Sequence, residues 1–263
     1  MKYLILGSNS FLARQFCLDL KKSGHIVFES SRSGKEIVLD IFDISKVTKC
    51  IEELKPNIIV NFAWVTKIGY YEVDSLNYKY EKNSYEIFDI LQKFKDIRYV
   101  GIGSGSEYGV NGIFSAGVSS YNPETEYARA KLRTFRVLQA ESARSDIPFQ
   151  WARVFQPYGP FQDRERFIPT LLSAIFKKLQ FNLDVPNRAI DWIHSSDISN
   201  ALISGIQNNL QHFDIGTTKM FRNIEICEYL ARNFGLKYVV SDSANLAHSE
   251  YGVSANSPLY TQT

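Results

Sequence analysis

The sequence predicts an α/β protein, with one parallel sheet and helices packed on both of its faces. Three observations predict it. Short apolar runs alternate with longer amphipathic ones over the first part of the chain, which is the pattern of strand–helix–strand units. The first apolar run stops at Gly7 and gives way to a helical pattern after Ser8, Asn9 and Ser10, a tight strand-to-helix turn. The chain has 263 residues, enough for one large domain or a domain with a smaller lobe.

Taken in order, Tyr3–Leu6 reads as a strand and Phe11–Lys22 as a helix. Ile26–Glu29 is a strand, Val47–Leu54 a helix and Asn57–Asn61 a strand. A helix near Tyr80–Phe94 leads to a strand at Arg98–Ile102, then a helix at Glu124–Ala143 and a strand at Phe149–Phe155. Beyond Tyr158 the pattern loosens. Phe167–Lys177, Ile198–Gln207 and Asn223–Phe234 are helical, with short strands near Ile190–His194 and His212–Ile215. Residues 1–160 are expected to form the core and 161–240 mainly a smaller lobe over the ligand cleft, with core elements returning near 190–215. Residues 241–263, polar and containing Ser, Asn, Gly and Pro, read as a loop-rich, partly disordered tail.

Hydrophobic residues make up 44% of the chain and charged ones 22%, and the net charge is +2 without a basic stripe, so nucleic acid is not expected as a partner. No apolar run is long enough to cross a membrane. The Met1–Leu6 stretch is too short for a secretory signal and reads as a buried strand. Cys17, Cys50 and Cys227 are odd in number and far apart, which argues for reduced thiols in a cytoplasm. With four histidines in the chain, no metal site is expected.

The chemistry points to two places. Tyr127 and Lys131 are four residues apart in a helical segment, so their side chains share a face. An ammonium beside a phenol favours the phenolate, which makes the tyrosine a usable acid or base. At the first turn, backbone N–H groups and the positive end of a helix can meet a pyrophosphate. An ordinary turn with Ser8, Asn9 or Ser10 as helix cap fits this segment equally well. The second strand runs into Ser31 and Arg32, where dinucleotide folds place an acid for a ribose 2′-hydroxyl or an arginine for a 2′-phosphate, so NADP is favoured over NAD. Asp40 could accept from an adenine amino group or cap the next helix.

Several segments, in the right order, resemble the extended short-chain dehydrogenase/reductases that act on nucleotide sugars, the NAD-dependent epimerase/dehydratase family. The glycine-rich turn is similar to Gly7–Ala13, with Ser10 and Ala13 standing for two of its glycines. Val60–Ala63, Asn83, Gly103–Gly109, Arg153–Pro160 and Asp191–Asp197 resemble further family segments, and together these cover roughly Lys2 to Asn223. The resemblance implies a Rossmann-like doubly wound sheet with a small C-terminal substrate lobe. It implies that Ser104 bonds the reacting carbonyl or hydroxyl, that Tyr127 is the acid/base and that Lys131 holds the nicotinamide ribose. Ser106 is a rival for the serine role or a substrate contact. Cofactor contacts would fall to Gly7, Ser8, Ser10, Phe11, Leu12, Ser31, Arg32, Asp40 and Ile41, and further to Phe62, Ala63, Asn83 and Phe155.

Among the family's chemistries, 4,6-dehydration needs a neighbouring Asp-Glu pair, and the corresponding places hold Gly105 and Ser106. The segment Gly103–Gly109 is most similar to reductases of 4-keto-6-deoxy sugars, with a 4-epimerase retaining NAD as the alternative. A non-catalytic NAD(P)-binding regulator is the reading from another class. Arg164, Arg166 and Arg188 are expected substrate contacts, because guanidinium groups grip diphosphate oxygens, and Gln156 is a further one by resemblance, standing where the family often has Asn. A homodimer is expected by the same analogy, with Tyr80, Phe88, Phe135 and Leu138 either offering apolar contact or belonging to the core.

Overall fold

The computed structural model describes residues 1–34, 36–66, 69, 75–109 and 112–241, and the backbone of 252–255. In chain order the first half holds β1 (Lys2–Leu6), α1 (Phe11–Lys22), β2 (Ile26–Ser31), β3 (Ile37–Val38), α2 (Ile44–Leu54), β4 (Ile58–Asn61), α3 (Leu76–Ile90), β5 (Arg98–Ser104) and β6 (Gly112–Phe114). Then come α4 (Glu126–Ser145), β7 (Phe149–Val154), β8 (Gln156–Tyr158), α5 (Phe167–Lys177), β9 (Gln180–Leu183), β10 (Ala189–Ile190) and β11 (Trp192–His194). The chain continues through α6 (Ser195–Gln207), β12 (His212–Ile215), β13 (Phe221–Arg222), α7 (Asn223–Phe234), β14 (Lys237–Val240) and β15 (Gly252–Ala255).

Seven strands form the main sheet in the order β12-β7-β5-β4-β1-β2-β3, and every pairing is parallel. Strand order reverses between β1 and β4, so a crevice opens at the carboxyl ends of those two strands. Side chains alternate across the sheet. Tyr3 and Ile5 of β1 join Phe16 of α1 and Ile198 and Leu202 of α6 in one apolar layer. Leu4 and Leu6 face the other way, into a layer with Val47 and Ile51 of α2, Ile87 and Phe88 of α3 and Leu138 of α4. The sheet is therefore doubly wound and Rossmann-like, as expected from the sequence.

A separate apolar cluster joins Leu171 and Ala174 of α5, Leu183 of β9, Cys227 of α7 and Leu236. There β9 pairs in parallel with β14. The expected loop-rich tail is corrected in part. Gly252–Ala255 forms β15, which pairs in parallel with both β6 and β10. The four-residue run is too short to show a strand period, and its order comes from backbone pairing with distant segments. The rest of the expected tail beyond Ser241 lies outside the described residues.

Of the four apolar residues expected either at a dimer contact or in the core, three are in the core. Phe88, Phe135 and Leu138 are buried in the core, and Tyr80 packs on Phe42 and Trp64. Helices of a doubly wound fold bury one face on the sheet, and these residues belong to that face.

Candidate active site

The first turn depends on a single glycine. Gly7 has φ +74°, and a Cβ there would lie 2.8 Å from the backbone of Ala63 at the end of β4. Glycine alone fits this conformation and this approach. Ser10 is the N-cap of α1 in extended backbone but makes no capping bond, and its hydroxyl is buried with no hydrogen-bond partner among the described residues. Ser8 supports the turn from beneath. It is fully buried, and its amide and hydroxyl both donate to the Ser30 carbonyl, at 2.9 and 3.0 Å.

A cleft of about 270 Å³ opens over this turn. Its wall contains seven of the residues expected at a cofactor: Gly7, Ser10, Ser31, Arg32, Ile41, Phe62 and Ala63. It also contains Asn9, Ser33, Leu39 and Thr66, and the aromatic residues Phe42, Trp64 and Tyr80, which the sequence reading did not assign to it. Asn9 Nδ2 donates to Ser31 Oγ at 2.8 Å and to the Ser33 carbonyl at 2.5 Å, tying the turn to the end of β2. Glu29 pairs with Lys21 at 2.7 Å, and among the described residues no carboxylate lines the cleft.

Other expected contacts stand behind the wall. Asn83 is buried and its Nδ2 donates to the Ile41 carbonyl at 2.7 Å, holding a lining residue in place. Asp40 Oδ1 accepts from the Phe42 amide at 3.1 Å, while Asp43 is the residue that caps α2. Leu12 packs against the core on the α1 side, and Phe11 is the half-buried first residue of α1. Phe155 is buried against Tyr108.

Helix α4 carries Tyr127 and Lys131. Thr125 starts it by accepting the Ala128 amide at 3.2 Å, and Arg133 ties it to α3 through Glu81 at 2.7 Å while also pairing with Glu126 of α4 itself at 2.8 Å. The Lys131 ammonium donates to the Ile102 carbonyl at 2.8 Å and lies 5.8 Å from the centre of the Tyr127 ring and 3.7 Å from that of Trp64. An aromatic face attracts a cation. Burial nevertheless pushes the ammonium down to about 7, against the opposing pull of the Glu107 carboxylate. Two residues beyond Ile102, Ser104 ends β5, and its hydroxyl lies 2.8 Å from that of Ser106. The serine and lysine thus share one strand end, and Tyr127 stands one helical turn from Lys131.

The three arginines expected to meet a diphosphate have different surroundings. The Arg166 guanidinium reaches the carbonyl of Thr66, a residue of the cleft wall, at 3.3 Å. Arg164 and Arg188 are exposed, and their carbonyls accept from Thr170 and Asn223. Gln156 is half-buried, at the start of β8. His194 caps α6, and buried Asp191 accepts from the amides of Thr217 and Thr218, so both hold local backbone. Among the described residues no cluster of His, Cys, Asp or Glu could hold a metal, and no helix is long and apolar enough to cross a membrane.

A parallel doubly wound sheet whose cleft lies where strand order reverses defines a Rossmann-like fold. The Gly7 approach, the N-terminus of α1 at the turn and the orphaned Ser10 hydroxyl fit a dinucleotide pyrophosphate. Residues 3–216 match the NAD dependent epimerase/dehydratase family, and the chain belongs to it. No curated protein matches the chain in sequence. Among solved structures it is similar to the dTDP-glucose 4,6-dehydratase of Bacillus anthracis in complex with NAD, at 19% identity and a TM-score of 0.81 over 98% of this chain and 88% of that one. It is similar also to the Thermus thermophilus UDP-glucose 4-epimerase with NAD, at 15% identity and a TM-score of 0.81 over 98% and 91% of the two chains. The Bacillus cereus UDP-glucuronic acid 4-epimerase, in complex with UDP-glucuronic acid and NAD, gives 15% identity and a TM-score of 0.83 over 97% and 90%.

Proposed function

We propose that the chain catalyses NAD(P)H-dependent reduction of a 4-keto-6-deoxy nucleotide sugar. The observation that carries this reading is the surroundings of Ser104. A Cβ at Gly105 would lie 2.9 Å from the Phe155 ring, so the acid that dehydration requires has no room there. The Ser106 hydroxyl beside it is bonded to Ser104 and has no carboxylate to offer. What remains is the set for moving a hydride and a proton at one carbon–oxygen bond. The cofactor supplies the hydride when bound. Tyr127 protonates the carbonyl oxygen as charge develops on it, Ser104 donates a hydrogen bond to the same oxygen, and Lys131 supplies positive potential beside the phenol.

NADPH is the proposed reductant, because Ser31 and Arg32 line the cleft and no carboxylate does so among the described residues. A second reading is C4 epimerisation with retained NAD, favoured by the NAD bound in the similar epimerase and dehydratase structures. Calorimetry with NADPH and NADH separates the two, using Arg32→Ala as control. Tighter NADPH binding that Arg32→Ala weakens, with oxidation of NADPH by a 4-keto sugar nucleotide, supports the reductase. NAD that stays bound through purification supports the epimerase. A homodimer remains part of the proposal. On α3 and α4 it would use Leu76, Tyr78 and Val137, which are exposed. A single monomeric species in sedimentation at micromolar concentration counts against it.

A further inference from the structure

We propose that Glu107 is a positioning residue: clamped by Arg153 and Trp151, its carboxylate fixes the backbone of Ser104 and so aims the serine hydroxyl. The inference rests on the role given to Ser104 above. Ser104 is the last residue of β5, and the chain turns at once into a single 3-10 turn, Gly105–Glu107. The Ser104 amide donates to Glu107 Oε1 at 2.8 Å, and the Ser106 amide donates back to Ser104 Oγ at 3.2 Å. This reciprocal box sets both the backbone and the hydroxyl of the serine.

A neutral acceptor would meet the same amide without burying a charge. The chain instead places a carboxylate at 0% exposure and neutralises it with an arginine, also at 0%, through Arg153 Nε at 2.7 Å. Trp151 Nε1 donates to both oxygens, at 3.1 and 3.2 Å. The guanidinium is in turn held over the rings of Phe135 and Tyr121, 4.3 and 4.9 Å from their centres. Three donors from three directions leave the carboxylate one position, and a charge-assisted bond to a backbone amide is stiffer than a neutral one.

Two double variants test this, Glu107→Gln/Arg153→Met and Glu107→Leu/Arg153→Met. Both remove the two buried charges together, and only the first keeps an acceptor for the Ser104 amide. Amide hydrogen exchange over residues 104–108, with no ligand present, is read beside kcat, the KM for the keto sugar and the NADPH Kd. The Leu variant is expected to exchange at the Ser104 amide about tenfold faster than the Gln variant, with kcat about tenfold lower at equal cofactor affinity. Equal exchange in the two variants, or equal loss of kcat, overturns the proposal, because a merely structural ion pair is missing from both alike. The unmodified protein gives a check that does not depend on either variant folding: its Ser104 amide must exchange as slowly as the interior amides of β5, and open-loop exchange refutes the clamp. Inactivity of the wild type on keto sugars would overturn the proposed function, while the exchange measurements would still decide the clamp.

Discussion

Lys131 carries the sharpest test at the scale of single residues. Its ordinary pKa is 10.5, and burial holds it at about 7. Between those values the unfolded chain binds more protons than the folded one, so stability rises as pH increases from about 7 towards 10.5. Lys131→Met should remove that increment, giving a flatter profile of melting temperature between about pH 7 and pH 9.5 than the wild type, and parallel profiles would refute it. Tyr127→Phe should lower turnover about 100-fold or more while NADPH affinity changes little, since it removes the proton donor and no more than a hydroxyl. Gly7→Ala should abolish cofactor binding, because its Cβ would press on the Ala63 backbone at an unfavourable φ; calorimetry that still registers binding would count against the assigned cleft. Gly7, Ser10, Ser31 and Arg32 were legible because each lies within a few residues of a strand end. Trp64 and Tyr80 were not, since nothing local in the sequence says that Phe42, Trp64 and Tyr80 pack together on one wall.

Among the elements, α4 matters most, for it carries both the phenol and the ammonium. Its start depends on the Thr125 hydroxyl, and Thr125→Ala should cost about 1 kcal/mol of stability, measured by urea unfolding. Turnover should fall further than stability alone accounts for, because Tyr127 lies in the first turn. Helices with a clear apolar stripe could be read almost to the residue, and α1, α5 and α7 lie where the sequence placed them. The start of α3 at Leu76 could not, as its first turn buries Asn77 and later Glu81 and Asn83, polar residues that leave no apolar period. Short strands were illegible for another reason. Gln180–Leu183 and Lys237–Val240 pair across more than fifty residues of chain, and neither alone alternates strongly enough to announce itself.

At the scale of the whole molecule, the parallel sheet with helices on both faces followed from the alternation of strands and helices, whereas the path of the C-terminal segment did not. Because β15 joins β6, which follows the Ser104 turn, to β10 in the later part of the chain, removing residues 242–263 should raise the KM for the sugar several-fold while leaving cofactor affinity unchanged. An unchanged KM would show that β15 takes no part in the substrate pocket. The distribution of sulfur has a different consequence. Each of the three large apolar clusters encloses one thiol: Cys17 beside α6, Cys50 on the opposite side of the sheet, and Cys227 within the α5–α7 cluster. Burial pushes the Cys227 thiol up to about 11, which silences it towards alkylating reagents until its cluster opens. Pulse alkylation with mass spectrometry would therefore time the opening of each layer separately, using three reporters that the chain already carries.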